Sequence, residues 1–142
     1  MRRPLAAALV LAGSAGVAAC GGSDTRVNAE RPPKPVTLTA AVHKRFVQVS
    51  PGAVGAGQII LVVSNQTARP QTVTFETADV PGNGQVGRRA STPRIAPQGT
   101  GRLTIDAREG DYKVHVGDRT VRVAHVKVGP RRASAQGDLL LP

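Results

Sequence analysis

Sulfur and aromatic rings are nearly missing from this sequence. It has one cysteine, one methionine, one tyrosine, two phenylalanines and no tryptophan. A single thiol cannot close an intramolecular disulfide or build a cysteine-based zinc site. Three rings (Phe46, Phe75 and Tyr112) are too few for the stacking platforms that hold bases or sugars, so nucleic acid is not an expected partner. Valine, leucine and isoleucine must fill the core, and 40% hydrophobic content suffices for one. Acids are scarce too: nine against nineteen Lys and Arg, a formal net charge of +10. That balance favours anionic neighbours such as phospholipid head groups or acidic polymers.

An apolar stripe at helical spacing is also missing beyond the first twenty residues. Those residues have their own plan. Met1-Arg2-Arg3-Pro4 is a short basic start, residues 5–19 are apolar or small, and Cys20 follows. The stretch is shorter than the roughly 20 apolar residues a membrane span needs. Gly13, Ser14 and Gly16 dilute it further. It reads as a secretory signal. Val17-Ala18-Ala19-Cys20 resembles the bacterial lipobox. The resemblance implies cleavage between Ala19 and Cys20, and diacylglycerol on the Cys20 sulfur. Two or more acyl chains would anchor the chain stably where one is marginal. Residues 20–35 then form a tether, flexible at Gly21-Gly22-Ser23 and stiffer at Arg31-Pro32-Pro33-Lys34-Pro35. The expected organisation is signal peptide 1–19, lipidated cysteine and tether 20–35, folded domain 36–129 and tail 130–142.

The body has the period-two pattern of strands. Val36, Leu38, Ala40 and Val42 alternate with Thr37 and Thr39. Residues 46–49 continue that strand after Lys44-Arg45, and Ser50-Pro51-Gly52 turns. Residues 58–64 are a continuous β-branched run, read as a central strand packed on both faces. Val73 and Phe75 alternate with Thr72, Thr74 and Glu76, and Leu103 and Ile105 with Arg102 and Thr104. Residues 78–97, rich in Gly, Pro and Arg, read as one long loop. Residues 112–116 and 120–128 form a hairpin about the two-residue turn Gly117-Asp118. Gly129-Pro130 ends the last strand, because proline cannot donate to a ladder. About seven short strands predict an all-β Greek-key sandwich.

The strand ending in Asn65, the segment Asn65-Gln66-Thr67-Ala68-Arg69-Pro70-Gln71, the long loop and Gly110-Asp111-Tyr112 together resemble cupredoxin-like domains. The resemblance spans roughly residues 36–129. It implies a copper-ligating histidine where this chain has Gln71 and a cysteine where it has Val116. The further histidine and methionine would follow in a loop that here holds only Gly117-Asp118-Arg119. A blue-copper centre needs a thiolate. The family's electron transfer therefore does not carry over, and no cofactor or metal is expected.

Other chemistry is thin. In the two-residue-turn register His115 opposes Thr120 and His125 opposes Gly110, about 16 Å apart at 3.3 Å per residue. His43 with either of them is only a pair, a weak site. The same register sets Lys113 opposite Arg122, a like-charge pair that either Glu76 or Asp106 must relieve, or that awaits an anion. Arg88 and Arg89 add to that anion-binding set. Ser50, Ser64 and Ser91 lack a nucleophile-elbow context. Asn65-Gln66-Thr67 matches the glycosylation sequon, a common accident. These readings favour a non-catalytic, lipid-anchored binding or assembly module of the cell envelope, bound to the membrane through Cys20 and facing an anionic component or another envelope protein. The alternative is a metal-handling (copper or iron) or redox accessory lipoprotein. Leu139-Leu140-Leu141 near the end are apolar enough to dock on the domain or a partner.

Overall fold

The computed structural model describes residues 31–78 and 87–134. The expected signal segment, Cys20 and the Leu-rich tail lie outside the described residues. Eight strands form in order: β1 (Val36–Val42), β2 (Val47–Ser50), β3 (Ala53–Asn65), β4 (Val73–Thr77), β5 (Arg89–Ser91), β6 (Thr100–Ala107), β7 (Gly110–Val116) and β8 (Ala124–Arg131).

Two sheets share β3. Its second half lies between β1, parallel to it, and β6, antiparallel. Its first four residues instead run parallel to β8. The remaining order β8-β7-β4-β5 completes the second sheet. The change of sheet occurs at Gly55-Ala56-Gly57. Gly57 has φ +126°, a conformation that side chains with a Cβ rarely adopt. Glycines at 52, 55 and 57 conceal this part of β3 in the sequence.

The core lies between the sheets. Leu38, Ile59, Leu61 and Val63 are fully buried on one side, facing Val73, Phe75, Val114 and Val126 on the other. Phe75 and Tyr112 pack with centroids 5.2 Å apart. The Tyr112 hydroxyl accepts the Arg108 N–H at 3.0 Å, fixing the turn into β7. The β-branched run is not packed on both faces as its composition suggests. Ile59, Leu61 and Val63 face the core, while Ile60 and Val62 are half-buried on the other face, beside Thr37, Thr39, Arg102 and Thr104 of the flanking strands. Long side chains such as Arg102 shield apolar neighbours with their methylene stems.

Four further sequence expectations are corrected. Residues 47–50 do not prolong β1 but turn back against it, with the His43 N–H donating to the Phe46 carbonyl. The long loop contains β5 and the buried Ile95, whose backbone pairs reciprocally with Gln71. Gly101 makes room there, since a Cβ would lie 2.5 Å from Ile95 Cδ1. Strand β8 runs past Gly129 to Arg131, and Pro130 falls at the register shift opposite Gly55 and Ala56, where no ladder N–H is needed.

The fourth correction is the β7–β8 register. The pairs are Gly110↔Val128, Tyr112↔Val126, Lys113↔His125 and Val114↔Ala124. This is a three-residue shift from a two-residue turn, and an odd shift reverses which side chains face inward. The expected register would have turned Val126 and Val128 outward, at about 1.5–3 kcal/mol each. Burial of both valines selects the observed register, and residues 117–123 form a longer connection. Within it the Asp118 carboxylate accepts from the Thr120 N–H at 2.9 Å and the Thr120 hydroxyl at 2.7 Å.

The strand directions gather the loops into two poles. Residues 43–46, 66–72, 92–99 and 117–123 meet at one end. Residues 51–52 and 108–109 and both chain ends of the domain meet at the other.

Candidate functional site

The loop pole is organised by Asn65, fully buried at the end of β3. Its amide nitrogen donates to the carbonyls of Arg69 (2.8 Å), Ile95 (3.2 Å) and Ala96 (3.0 Å). Its carbonyl oxygen accepts from the Thr67 N–H (3.0 Å) and hydroxyl (2.8 Å). One side chain thus fastens loop 66–72 to loop 92–99. Both ends of the amide are used and none of it is exposed, so the sequon at 65–67 presents no accessible acceptor. Composition gave no sign of this role; the only signal was the position of Asn65 at a strand end.

Gln71 and Val116 lie at this pole. Val116 is buried opposite Val73. Gln71 follows Asn65 through the loop and donates weakly to the Thr67 hydroxyl at 3.5 Å. Neither supplies a thiolate or imidazole, so these positions do not fit a blue-copper ion. Among the described residues no group of three or more His, Cys, Asp or Glu could hold a metal. The histidines occupy separate surroundings. His43 stacks on Phe46 with centroids 4.4 Å apart. His115 lies on the outer face of β7. His125 is exposed opposite Lys113, which makes it a diagonal neighbour of His115 across the β7–β8 pair rather than a residue 16 Å away.

Lys113 and Arg122 are not opposed. Lys113 instead lies 3.2 Å from Glu76 on β4, and Arg89 on β5 lies 3.4 Å from the same carboxylate. His115 Nε2 is 3.1 Å from Glu76, and its Nδ1 is 3.1 Å from the Val116 carbonyl. Glu76 is therefore the acid that relieves Lys113, one of the two the sequence offered. Burial pushes its carboxyl up, but the hydrogen bonds and charges of Lys113 and His115 outweigh this and hold it below its ordinary 4.5. Arg88 lies elsewhere, in a cleft at the other pole with Asp106, Arg108, Glu109 and Arg131.

Arg122 lies on the loop pole. Its guanidinium sits 5.8 Å above the Phe46 ring centre, and its N–H donates to the Arg45 carbonyl at 2.9 Å. These contacts join loop 117–123 to loop 43–46. Lys44, Arg45, Arg69, Arg94, Arg119 and Arg122 are all exposed on the four loops, against one acid, Asp118. Hydrogen bonds from the Thr120 hydroxyl and N–H hold Asp118 below its usual range, with help from the charge of Arg69. Of this group the sequence pointed to Arg122 and, within the long loop, to Arg94; the other four gather through topology.

Comparison with solved structures matches this architecture. Auracyanin A, described as a blue copper protein from the green thermophilic photosynthetic bacterium Chloroflexus aurantiacus, superposes with a TM-score of 0.51. The match covers 68% of this chain and all of that one, at 13% identity. The fold is that of the cupredoxins. An auracyanin from Roseiflexus castenholzii (TM-score 0.48, 12% identity, 70% of this chain and all of that one) and an amicyanin variant (0.44, 20%, 63% and 79%) are similar at lower scores. No family model and no curated protein matches the chain. The cupredoxin-like scaffold is thus present with Gln71 and Val116 at the positions the sequence resemblance assigns to copper ligands.

Proposed function

We propose that this chain is a lipid-anchored, non-catalytic binding or assembly module of the bacterial cell envelope, tethered through Cys20 and working without a copper centre. The observation that carries this reading is the buried Val116 at the position where the resemblance calls for a thiolate. The interior has taken over a coordination position while the scaffold around it remains. The lipobox-like Val17-Ala18-Ala19-Cys20 supports the anchor. Cys20→Ser tests it: the variant leaves the membrane fraction or keeps its signal uncut. Wild-type migration and fractionation of this variant would overturn the lipoprotein reading. Crosslinking in intact cells then reports which envelope component is held.

A second reading, a metal-handling or redox accessory lipoprotein, draws on the fold shared with a blue copper protein. Stoichiometric metal uptake would favour it over the first.

A further inference from the structure

We propose that the loop pole binds a linear polymer of phosphate groups. The inference deepens the binding-module reading by naming its ligand chemistry and its surface. It rests on how charge is distributed, not on net charge.

Four of the five acids among the described residues (Glu76, Asp106, Glu109 and Asp111) lie on the sheet face or towards the other pole. β1 spans seven residues, so about 20 Å separates the ends at 3.3 Å per residue. The Debye length at physiological ionic strength is about 8 Å. Acids at one end therefore do not neutralise cations at the other. Glu76 is already engaged by Lys113, Arg89 and His115. Asp118 is the acid that faces the pole, and its carboxylate accepts from Thr120.

Five of the six cations are arginines, whose planar forks bind phosphate through paired hydrogen bonds. A phosphate is tetrahedral and offers oxygens in several directions, so forks from different loops can share one group. A carboxylate has fewer oxygens and holds them in one plane, so it is shared less readily among forks that approach from different sides. The cations are spread over four loops rather than gathered in a cavity, which suits a chain of repeated charges. Asn65 ties two of these loops, and the Phe46–Arg122–Arg45 contacts tie the other two. The surface is held in place before a ligand arrives. Residues 33–35 enter β1 at the opposite pole. A tether from Cys20 would therefore join the domain at the pole opposite the basic loops, which favours a polymer over the anchoring bilayer's head groups.

The test uses the full-length chain in neutral detergent and labelled long-chain inorganic polyphosphate, followed by fluorescence anisotropy at about 0.15 M salt. Wild type binds, and its affinity falls steeply with salt as counterions are released. Lys44→Gln, Arg45→Gln, Arg119→Gln and Arg122→Gln combined weaken binding by at least about tenfold and flatten the salt dependence. Arg69→Gln with Arg94→Gln, on the other two loops, gives an independent loss of about threefold or more. A control of equal charge at the other pole, Arg88→Gln, Arg108→Gln, Lys127→Gln and Arg131→Gln, changes affinity less than about twofold. An equal loss in the control, or no wild-type binding, overturns the proposal. So does equal or tighter binding of polyglutamate, or a preference of the pole for anionic phospholipid vesicles over polyphosphate. If the four-site variant is not folded by thermal melting, the Arg69/Arg94 pair decides the outcome alone. Loss of lipidation in Cys20→Ser would leave polyphosphate binding intact, so failure of the anchor and failure of this surface are separable.

Discussion

The two poles of the sandwich are both rich in arginine and use it in opposite ways. At the pole where the chain enters and leaves, Arg132 is turned inward. Its guanidinium donates to the carbonyls of Ala56 (3.2 Å), Lys34 (2.9 Å) and Gln58 (2.8 Å). It clasps the entering segment, the corner of β3 and the end of β8 together. Gly55 and Gly57 leave it space, since a Cβ at either would come within 3 Å of it. At the loop pole a neutral amide, Asn65, bonds the backbone carbonyls, and the arginine side chains stay exposed, Arg122 resting on the Phe46 ring. What an arginine does follows from which backbone carbonyls lie within its reach. At the chain-end pole a broken register and a strand corner bring three of them around Arg132. At the loop pole Asn65 and reciprocal backbone pairing engage those of Arg69, Gln71, Ile95 and Ala96.

The largest effect should come from the core that holds the poles apart. Leu61→Ala removes a fully buried side chain and should cost about 2–5 kcal/mol in denaturant unfolding. A loss below about 0.5 kcal/mol would show that the inner face of β3 is misassigned. Asn65→Ala comes next, at about 2–4 kcal/mol, because it strips buried loop groups of their partners. Hydrogen exchange should rise at residues 66–72 and 92–99 and stay low at the chain-end pole. Uniform loosening would contradict the division of labour. Arg132→Ala should give the mirror image at about 1 kcal/mol, with exchange rising at residues 55–58.

The smallest effect is expected from Glu76→Gln, about 0.5–1 kcal/mol for a partly exposed cluster. Its pH dependence has a definite sign. The folded-state carboxyl is held below its ordinary 4.5, so its stabilising contribution is present above that value and is lost as pH falls through the lowered one. Wild type and variant should therefore differ in melting temperature at pH 7 and converge in acid. A gap that widens as pH falls would reverse the argument.

Legibility in the sequence differed along similar lines. Where apolar and polar residues alternate without glycine, as in residues 36–42, 73–77 and 102–105, the strands and their buried faces could be read directly. Leu61 could be placed in the core for a different reason, as part of the most apolar run, residues 58–64. Strand β5 could not, because three residues among Gly, Pro and Arg carry no period. Ile95 stands alone among Pro, Arg, Ala and Gln, and Gly101, which makes space for it, belongs to another strand. The β7–β8 register was misread because Gly117-Asp118 is a strong turn signal, whereas Val126 and Val128 exert their preference only through tertiary burial. At the site, Gln71 was recognisable from the segment after Asn65 and Val116 from its distance to Gly110-Asp111-Tyr112, while the Asn65 network was not. The basic pole was invisible, because Lys44, Arg45, Arg69, Arg94, Arg119 and Arg122 are scattered in the chain and meet only when four loops converge.

The central claim is that a cupredoxin-like scaffold here serves binding without a copper centre. Titration of the full-length chain with copper, followed by calorimetry and visible absorption, tests it most directly. The account predicts no tight stoichiometric uptake and no thiolate-to-copper absorption band, with Gln71→Ala and Val116→Ala leaving the titration unchanged. A one-to-one complex whose affinity falls when Gln71 or a loop-pole histidine is replaced would contradict it.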